Sequence, residues 1–441
     1  MTRFEPRMFG AGVARFLSTV ATVTTLLLSA SANAAIDGIT VSGSIELTAS
    51  EGYVLVADGA SIYSWGYSAN DEAMQLPGPT LIVTEDQEFD VTLSNNLPAA
   101  AGNVSIGYPG LTVVDVNGGE QGALAQEATS GSTVTYTVIA TEPGTYQYHS
   151  GTQPDLQVEM GLYGALIVQP AVPAAGCAAA SAYSHDGTCF DREYLFLLSQ
   201  MDIDIHQAAE LQKGGEGPII LPAGAYHSEY WFMNGRAAPD TLAPPGRALL
   251  PHQPYNIIPQ MHPGEKLLIR LVGAGREQHP FHTHGNHVRL LARDGRLLTS
   301  GPGGTGVLAG PTLFTIPSLP GGTADAVFEW TGKDLGWDIY GHTSDDPALL
   351  EPNEWAPDHG KPIPVELPSL SSLAFGGFYS GSPFLGAMGA LPPGEGGLNP
   401  AAGFTYMWHS HAERELVNND VFPGGMLTML IIQPPGQPIT N

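Results

Sequence analysis

The feature that most constrains this chain is a duplicated pattern, in which a histidine-bearing segment is followed by an apolar run that ends on Gln-Pro. In the first copy, His149 precedes residues 161–170, and in the second copy His409 precedes residues 425–434. A pattern that occurs twice in one chain indicates two structural units of the same plan. We therefore predict two related domains.

The spacing of apolar residues is that of β-strands. Three runs alternate apolar and polar side chains as half-buried strands do, namely residues 89–93, 134–138 and 267–271. The chain has 55 Gly and 37 Pro, and no long segment after the amino terminus has helical periodicity. Many short strands separated by turns are typical of sandwiches and barrels. We predict an all-β protein with β-sandwich domains at residues 36–170 and 193–435.

The amino terminus has the pattern of a secretory signal peptide. Three arginines among the first 15 residues precede an apolar run at 16–28, and residues 32–34 are Ala-Asn-Ala, which fits a cleavage site. The apolar run is shorter than the ~20 residues that a membrane-spanning helix needs. We predict that residues 1–34 are a signal peptide, that no segment spans the membrane, and that the protein is periplasmic or secreted. An uncleaved anchor is the alternative.

Two further segments stand apart from the predicted strands. The linker at residues 171–192 carries the two cysteines of the chain, Cys177 and Cys189. In an exported protein two nearby cysteines usually form a disulfide, and two free thiols are the alternative. Residues 343–400 are rich in Pro, Gly and Ser, and we predict a long loop insertion there in the second domain. Loops of that length often have a function.

The charge of the chain restricts its partners. There are 16 Lys and Arg residues against 43 Asp and Glu, a formal net charge of −27. Such a surface repels phosphate backbones and anionic lipids. We therefore expect no nucleic-acid partner.

Two His-x-His pairs indicate a metal site. His282 and His284 form one pair, and His409 and His411 form the other. Residues i and i+2 of a strand point to the same face, so each pair presents two imidazoles side by side. Imidazole is a ligand of copper, zinc, nickel and iron. The alternative is two strands whose histidines only form hydrogen bonds or face solvent.

Other histidines occur singly, and a single histidine is more often structural than metal-bound. We interpret as structural His185, His206, His227, His252, His262, His342 and His359.

Several motifs resemble those of the multicopper oxidase branch of the cupredoxin superfamily. Residues 279–285, His-Pro-Phe-His-Thr-His-Gly, have the three-histidine spacing of that family. Residues 77–80 and 161–168 resemble its first domain, and residues 408–426 resemble its last copper motif. The resemblance implies two cupredoxin-like Greek-key β-sandwiches and copper as the cofactor. It implies these metal ligands: His149, His282, His284, His409 and His411.

The departures from the family pattern concern the copper motifs themselves. Residues 107–109 are Gly-Tyr-Pro where the family has His-x-His, and His149 lacks the second histidine of its pair. Ser410 stands where the family has the cysteine of the type 1 copper, and Glu415 stands near the place of a further type 1 histidine. A blue copper centre requires that thiolate.

The motifs that remain imply a copper site with fewer ligands than the family has. We expect one His-ligated, type 2-like copper, with His279 and Met426 as outer or relic ligands. The distal nitrogen of each ligand ring should meet a carboxylate or carbonyl, with candidates Asp115, Glu413 and Glu415.

We interpret the chain as an exported, copper-dependent oxidoreductase that acts on a small-molecule oxidant or reductant, without laccase-type activity. A non-enzymatic copper-binding or copper-tolerance protein is one alternative, and a structural module with a degenerate site is another. Resemblance to two-domain relatives implies a homotrimer, in which His149 meets the other four ligands across a subunit interface. A monomer with the site between its own two domains is the alternative.

Overall fold

A computed structural model describes residues 36–70, 72–178, 180–255, 257–332, 338, 340, 342, 350–351, 354–361, 404–433 and 438–439. The predicted signal peptide at 1–34 and most of the predicted insertion at 343–400 lie outside this part. These described residues belong to one compact unit. Among the described residues, no helix has both the length and the apolar character needed to cross a membrane.

The strands are β1 Ile39–Thr40, β2 Ser44–Leu55, β3 Ser61–Ala69, β4 Gly78–Thr84, β5 Gln87–Asn95, β6 Thr112–Gly118, β7 Glu120–Gln121, β8 Gln126–Glu127, β9 Thr133–Ala140, β10 Gly144–His149, β11 Tyr163–Gln169, β12 Ala180–Ser181, β13 Cys189–Phe190, β14 Arg192–Met201, β15 Tyr230–Met233, β16 Gln260–Met261, β17 Lys266–Gly273, β18 His279–Thr283, β19 Val288–Arg293, β20 Arg296–Leu297, β21 Thr312–Leu313, β22 Thr315–Ser318, β23 Thr323–Glu329, β24 Phe404–Ser410 and β25 Leu427–Ile432. The α-helices are α1 Pro154–Gln157 and α2 Ile203–Gln212.

The first sandwich is built from the strands before the linker. Its two sheets have the strand orders β1-β4-β11-β10 and β3-β2-β5-β9-β6. Strand β5 buries Phe89, Val91 and Leu93 while the residues between them are half-buried, as the alternating pattern predicts. Strand β9 has the same alternation. The inward side chains of both sheets share one core, which includes the buried Trp65.

The second sandwich has a seven-stranded and a five-stranded sheet. The larger has the order β15-β14-β17-β23-β19-β20, with β21 paired to β19, and the smaller has the order β16-β25-β24-β18-β22. Their shared core contains Phe196, Phe281 and Trp408. The prediction of an all-β fold built from β-sandwiches is therefore confirmed.

The linker is more structured than its composition indicated. Strands β12 and β13 pair within it, and a disulfide joins Cys177 to Cys189. Tyr183 and Phe190 then pack against Leu268 and Leu291 of the larger second sheet. The linker thus covers the outer face of that sheet.

Strand β17 differs from its prediction as a half-buried strand. Leu267, Ile269 and Leu271 face the core, but Arg270 on the other face is only 1% exposed. Its guanidinium lies 2.9 Å from Glu193 and 3.8 Å from Asp325. Both faces are buried because the linker and the first sandwich cover the outer one, and the buried cation is neutralised by two carboxylates.

Helix α2 is the one ten-residue helix of the described chain, and the sequence pattern did not predict it. The Asp202 side chain caps it by accepting a hydrogen bond from the backbone N–H of Asp204 at 3.0 Å. Although α2 follows β14 of the second sandwich, its buried residues Ile205 and Ala209 belong to the core of the first. The periodicity is weak because tertiary contacts, not an amphipathic stripe, hold this helix.

The two sandwiches repeat the same pairing around their histidines. In the second, His282 of β18 lies directly opposite His409 of β24. In the first, an isolated antiparallel bridge places Gly107 opposite His149, with backbone N–O distances of 2.7 and 3.2 Å. Gly107 is therefore the counterpart of His282, which agrees with the duplicated sequence pattern.

Candidate metal centre

Four imidazoles gather on one face of the β18–β24 pair. Because His282 and His409 are directly opposed, their side chains share a face, and His284 and His411 follow two residues later on that face. The ring centroid of His282 lies 4.8 Å from those of His284 and His411 and 5.4 Å from that of His409. Donor nitrogens of His282, His284 and His409 all lie within 4.8 Å of one another.

Hydrogen bonds fix which ring nitrogens face the centre of this cluster. Nδ1 of His409 donates to the carbonyl of Ser410 at 2.6 Å, so the neutral ring has its lone pair on Nε2. That Nε2 lies 3.2 Å from Nε2 of His284. Nδ1 of His282 lies 2.9 Å from the Thr315 hydroxyl. The predicted carbonyl partner is thus present for His409, and His282 meets the Phe314 backbone as well as the Thr315 hydroxyl, but none of the three predicted carboxylates.

The surroundings keep these rings neutral. Burial, with repulsion from the neighbouring imidazoles, lowers the pKa of His282 to about 4. Burial likewise lowers the pKa of His409 to about 4, against the opposing effect of its hydrogen bond to Ser410. The pKa of His284 is lowered by burial and by His411. Neutral imidazoles are the form that binds metal ions.

The donor set fits a first-row transition ion. Metal–nitrogen bonds of ~2.0–2.1 Å place neighbouring ligand nitrogens roughly 3 Å apart, and the Nε2 atoms of His284 and His409 are 3.2 Å apart. Two unprotonated nitrogens at that distance repel each other unless a proton or a metal ion lies between them. His411 is exposed, so the cluster opens to solvent on its side.

Where the resemblance implies a type 1 copper, the structure has a hydrogen-bonded network. Ser410 Oγ donates to Oε2 of Glu415 at 2.5 Å, and Nδ1 of His279 donates to the same oxygen at 3.0 Å. Nε2 of His279 accepts a hydrogen bond from the Gln200 amide at 3.0 Å. All of these side chains are buried, as is Met426. Both nitrogens of His279 are therefore engaged by protein groups.

His149 lies apart from the other four histidines. It lines a cavity of about 420 Å³ with Gln147 of the first sandwich and Arg276 and Gly321 of the second. Its Nδ1 donates to the Ser150 carbonyl at 2.9 Å, the same arrangement as in His409. Within one chain the structure does not bring His149 to the four-histidine cluster, which argues against a complete five-histidine site inside a monomer.

A second group of metal-ligating side chains was missed by the sequence analysis. Asp338, His342, Glu354 and His359 place one donor atom each within 4.8 Å of one another. We had interpreted both histidines as structural because each occurs singly in the sequence. Only Asp338 and His342 have a regular spacing, of four residues, and no such spacing connects them to Glu354 and His359.

Comparisons with known proteins agree with this fold. Residues 66–172 match the family model described as multicopper oxidase. Laccase 1 of Metarhizium robertsii is 33% identical over 98 residues, which span 22% of this chain and 15% of the laccase. Laccase 1 of Metarhizium acridum is 27% identical over 166 residues, which span 36% of this chain and 23% of that laccase.

Solved structures extend the likeness over most of the chain. The multicopper oxidase mgLAC has a TM-score of 0.54 and 18% identity, covering 91% of this chain and 89% of its own. The blue copper oxidase of Nitrosomonas europaea has a TM-score of 0.53 and 16% identity, covering 89% and 86%. At identities of 18% and 16%, this similarity shows that the fold is shared and no more.

The sandwiches and the histidine cluster define a protein of cupredoxin-like fold with a group of imidazoles that could hold a metal ion. The chain is similar in sequence to multicopper oxidases over residues 66–172, and similar to them in fold over most of its length. The four imidazoles fit copper, whereas Ser410 and the paired His279 do not form a thiolate site.

Proposed function

We propose that this protein holds one copper ion with His282, His284, His409 and His411, as the type 2-like centre of an oxidoreductase. The observation that carries the proposal is the 3.2 Å approach of the Nε2 atoms of His284 and His409, which places two donors at ligand spacing. Bound copper would supply one-electron redox chemistry and a position for a small oxidant or reductant. Such a site has imidazole ligands only.

The residues around the cluster orient its rings and line its opening to solvent. Thr315 and the Ser410 carbonyl hold the rings of His282 and His409 in orientation. Phe314, which is 56% exposed, lies with its ring centroid 5.7 Å from that of His282 and forms an apolar rim. His411 on the exposed side leaves the cluster open to small molecules. Laccase-type chemistry is disfavoured because Ser410 provides no thiolate.

The test is copper loading of the purified protein, followed by elemental analysis, electron paramagnetic resonance and absorption. We expect about one copper per chain, a type 2 signal, no intense blue band, and copper-dependent turnover of nitrite, oxygen or superoxide. Substoichiometric copper would instead support a structural module with a degenerate site.

A second candidate is a non-enzymatic copper-binding protein for copper tolerance. The network of His279, Glu415 and Ser410 favours it, because no group there can receive electrons and pass them to the cluster. Stoichiometric copper that exchanges readily, without turnover of any of the three oxidants, would support this candidate over the enzyme.

We also propose a homotrimer in which His149 of one subunit completes the cluster of its neighbour. His149 supports this because its Nδ1–H donates to the Ser150 carbonyl, which leaves the lone pair of Nε2 available to a metal ion. Its own chain does not bring this nitrogen to the cluster. Sedimentation should give a trimer, and His149→Ala should lower copper affinity. A monomer at micromolar concentration with unchanged copper affinity in this variant would contradict the proposal.

Export is the last part of the proposed function. The signal-peptide pattern of residues 1–34 and the disulfide between Cys177 and Cys189 support it, since disulfides persist in oxidising compartments. Mass spectrometry of the protein recovered from the periplasm or medium should show a chain that begins after residue 34. An intact amino terminus confined to the cytoplasm would contradict export.

A further inference from the structure

The chain has a second cluster of metal-ligating side chains, consisting of Asp338, His342, Glu354 and His359. These residues lie between strands β23 and β24, outside the four-histidine cluster. The carboxylate side chains of Asp338 and Glu354 are 0% and 2% exposed, and the imidazoles are 17% and 13% exposed. We propose that this second cluster binds one Zn²⁺ ion as a structural site.

The donor atoms converge to within 4.8 Å of one another, a gathering that a small shift would bring to the spacing of a tetrahedral ligand set. Zinc bonds of ~2.0–2.2 Å to nitrogen and oxygen place neighbouring tetrahedral ligands roughly 3.4 Å apart. Nδ1 of His342 lies 2.7 Å from Oδ2 of Asp338 and 3.4 Å from Oε1 of Glu354. Nδ1 of His359 lies 3.9 Å from the same Asp338 oxygen and in close contact with the same Glu354 oxygen. Two imidazoles and two carboxylates form a closed set of four ligands that suits structural zinc.

Each of the two carboxylates directs one oxygen towards the imidazoles of the cluster. Oδ1 of Asp338 accepts the backbone N–H of Tyr340 at 2.8 Å, which leaves Oδ2 facing His342. Oε2 of Glu354 accepts the backbone N–H of Glu351 at 2.8 Å, which leaves Oε1 facing the imidazoles. Groups that hold ligands in this way are typical of metal sites.

Charge balance also favours a bound cation. The rings of His342 and His359 are 4.4 Å apart, so two imidazolium ions there would repel each other. Among the described residues, no Lys or Arg pairs with the two buried carboxylates, since the nearby Lys361 ammonium lies 3.4 Å from Asp358 instead, so a single imidazolium would leave one carboxylate uncompensated. One divalent ion would neutralise both carboxylates and remove this cost.

The backbone explains what such an ion would stabilise. The N–H of Asp338 donates to the carbonyl of Lys361 at 2.8 Å, and Oδ2 of Asp338 accepts the N–H of Gly360 at 2.8 Å. The second cluster therefore joins the two ends of a segment whose described residues include one 3₁₀ turn, Ala356–Asp358, and no strand. Zinc would fix this segment where no sheet does.

The test uses the full chain, stripped with a chelator, with Zn²⁺ alone as the probe. His284→Ala and His409→Ala together disable the four-histidine cluster and form the background. After dialysis we expect about one Zn²⁺ per chain in this background. Co²⁺ in its place should give the strong visible absorption of a tetrahedral ion. The residues of the second cluster are not mutated in this test. No zinc uptake, or a weak octahedral cobalt spectrum, would overturn the proposal.

Variants of the second cluster provide the matched comparison. Asp338→Asn with His359→Gln in the same background should weaken zinc binding by at least about 100-fold. His227→Gln is the control, because His227 lies 3.0 Å from Glu229 in an exposed histidine–carboxylate pair. Equal zinc affinity in the cluster variant and the control would overturn the proposal.

Discussion

His282 lies directly opposite His409 across strands β18 and β24, with ring centroids 5.4 Å apart. The same cross-strand position in the first sandwich holds Gly107 opposite His149. One copy of the duplicated pairing thus retains two imidazoles and the other retains one. This asymmetry places the proposed copper site on the second sandwich.

Removal of His409 should abolish tight copper binding. Its Nε2 is central to the cluster, so His409→Ala should cost more than the 10–100-fold in affinity that the loss of an outer partner typically costs. Copper stoichiometry and the type 2 resonance signal measure this. His185→Ala is the control, since His185 bonds to the Gly306 carbonyl at 3.0 Å and has no part in the cluster. Equal copper content in both variants would refute the assignment.

Thr315→Val should weaken copper binding without unfolding the protein. The hydroxyl lies 2.9 Å from Nδ1 of His282 and orients that ring, and loss of such a partner costs about 10–100-fold in metal affinity. Thr92→Val, which removes a hydroxyl 2.9 Å from Thr135 in the first sandwich, is the matched control. Copper titration should separate the two variants, and an identical affinity would show that the hydroxyl has no such role.

A thiolate alone should not restore a blue centre. Ser410→Cys leaves His279 bonded to Glu415 and removes the 2.5 Å hydrogen bond from Ser410 to that carboxylate. We expect a colourless protein, destabilised by about 1–3 kcal/mol in urea unfolding. Adding Glu415→His supplies a second imidazole and should produce a blue absorption band with copper. A blue single variant would show that Glu415 does not block the site.

The metal-free protein should lose stability as the pH falls from 6.5 to 4. His282 and His409 have a folded pKa of about 4, below the ordinary value of 6.5, so the unfolded chain binds more protons in that window. Each contributes at most about 1.4 kcal/mol per pH unit. Urea unfolding of His282→Ala with His409→Ala should therefore show a shallower pH dependence than the parent. Parallel curves would contradict the lowered pKa values.

Gly107→His should create a metal-binding pair in the first sandwich. A Cβ atom at Gly107 would meet only the His149 carbonyl oxygen, at an ordinary 3.7 Å, so the fold should accept the side chain with a stability change of about 1 kcal/mol or less. The new imidazole would face His149 as His282 faces His409. Copper titration should then reveal additional binding that His149→Ala removes. No additional copper would mean that the two sandwiches differ in more than this residue.

Much of the fold follows from local pattern. The alternation in residues 89–93 and 134–138 appears as the half-buried strands β5 and β9. The duplicated motif appears as the same cross-strand pairing in each sandwich, with His149 opposite Gly107 and His409 opposite His282. Periodicity predicts such features because the side-chain direction along a strand depends only on neighbouring residues.

The sequence by itself determined the β architecture, the resemblance to multicopper oxidases and the two His-x-His pairs, because each is encoded within a few consecutive residues. Only the tertiary structure decided that His149 stands apart, that Glu415 bonds to His279 and Ser410, and that His342 and His359 meet Asp338 and Glu354. Those contacts join residues from different segments, and their geometry depends on how sheets and loops pack rather than on any period in the chain.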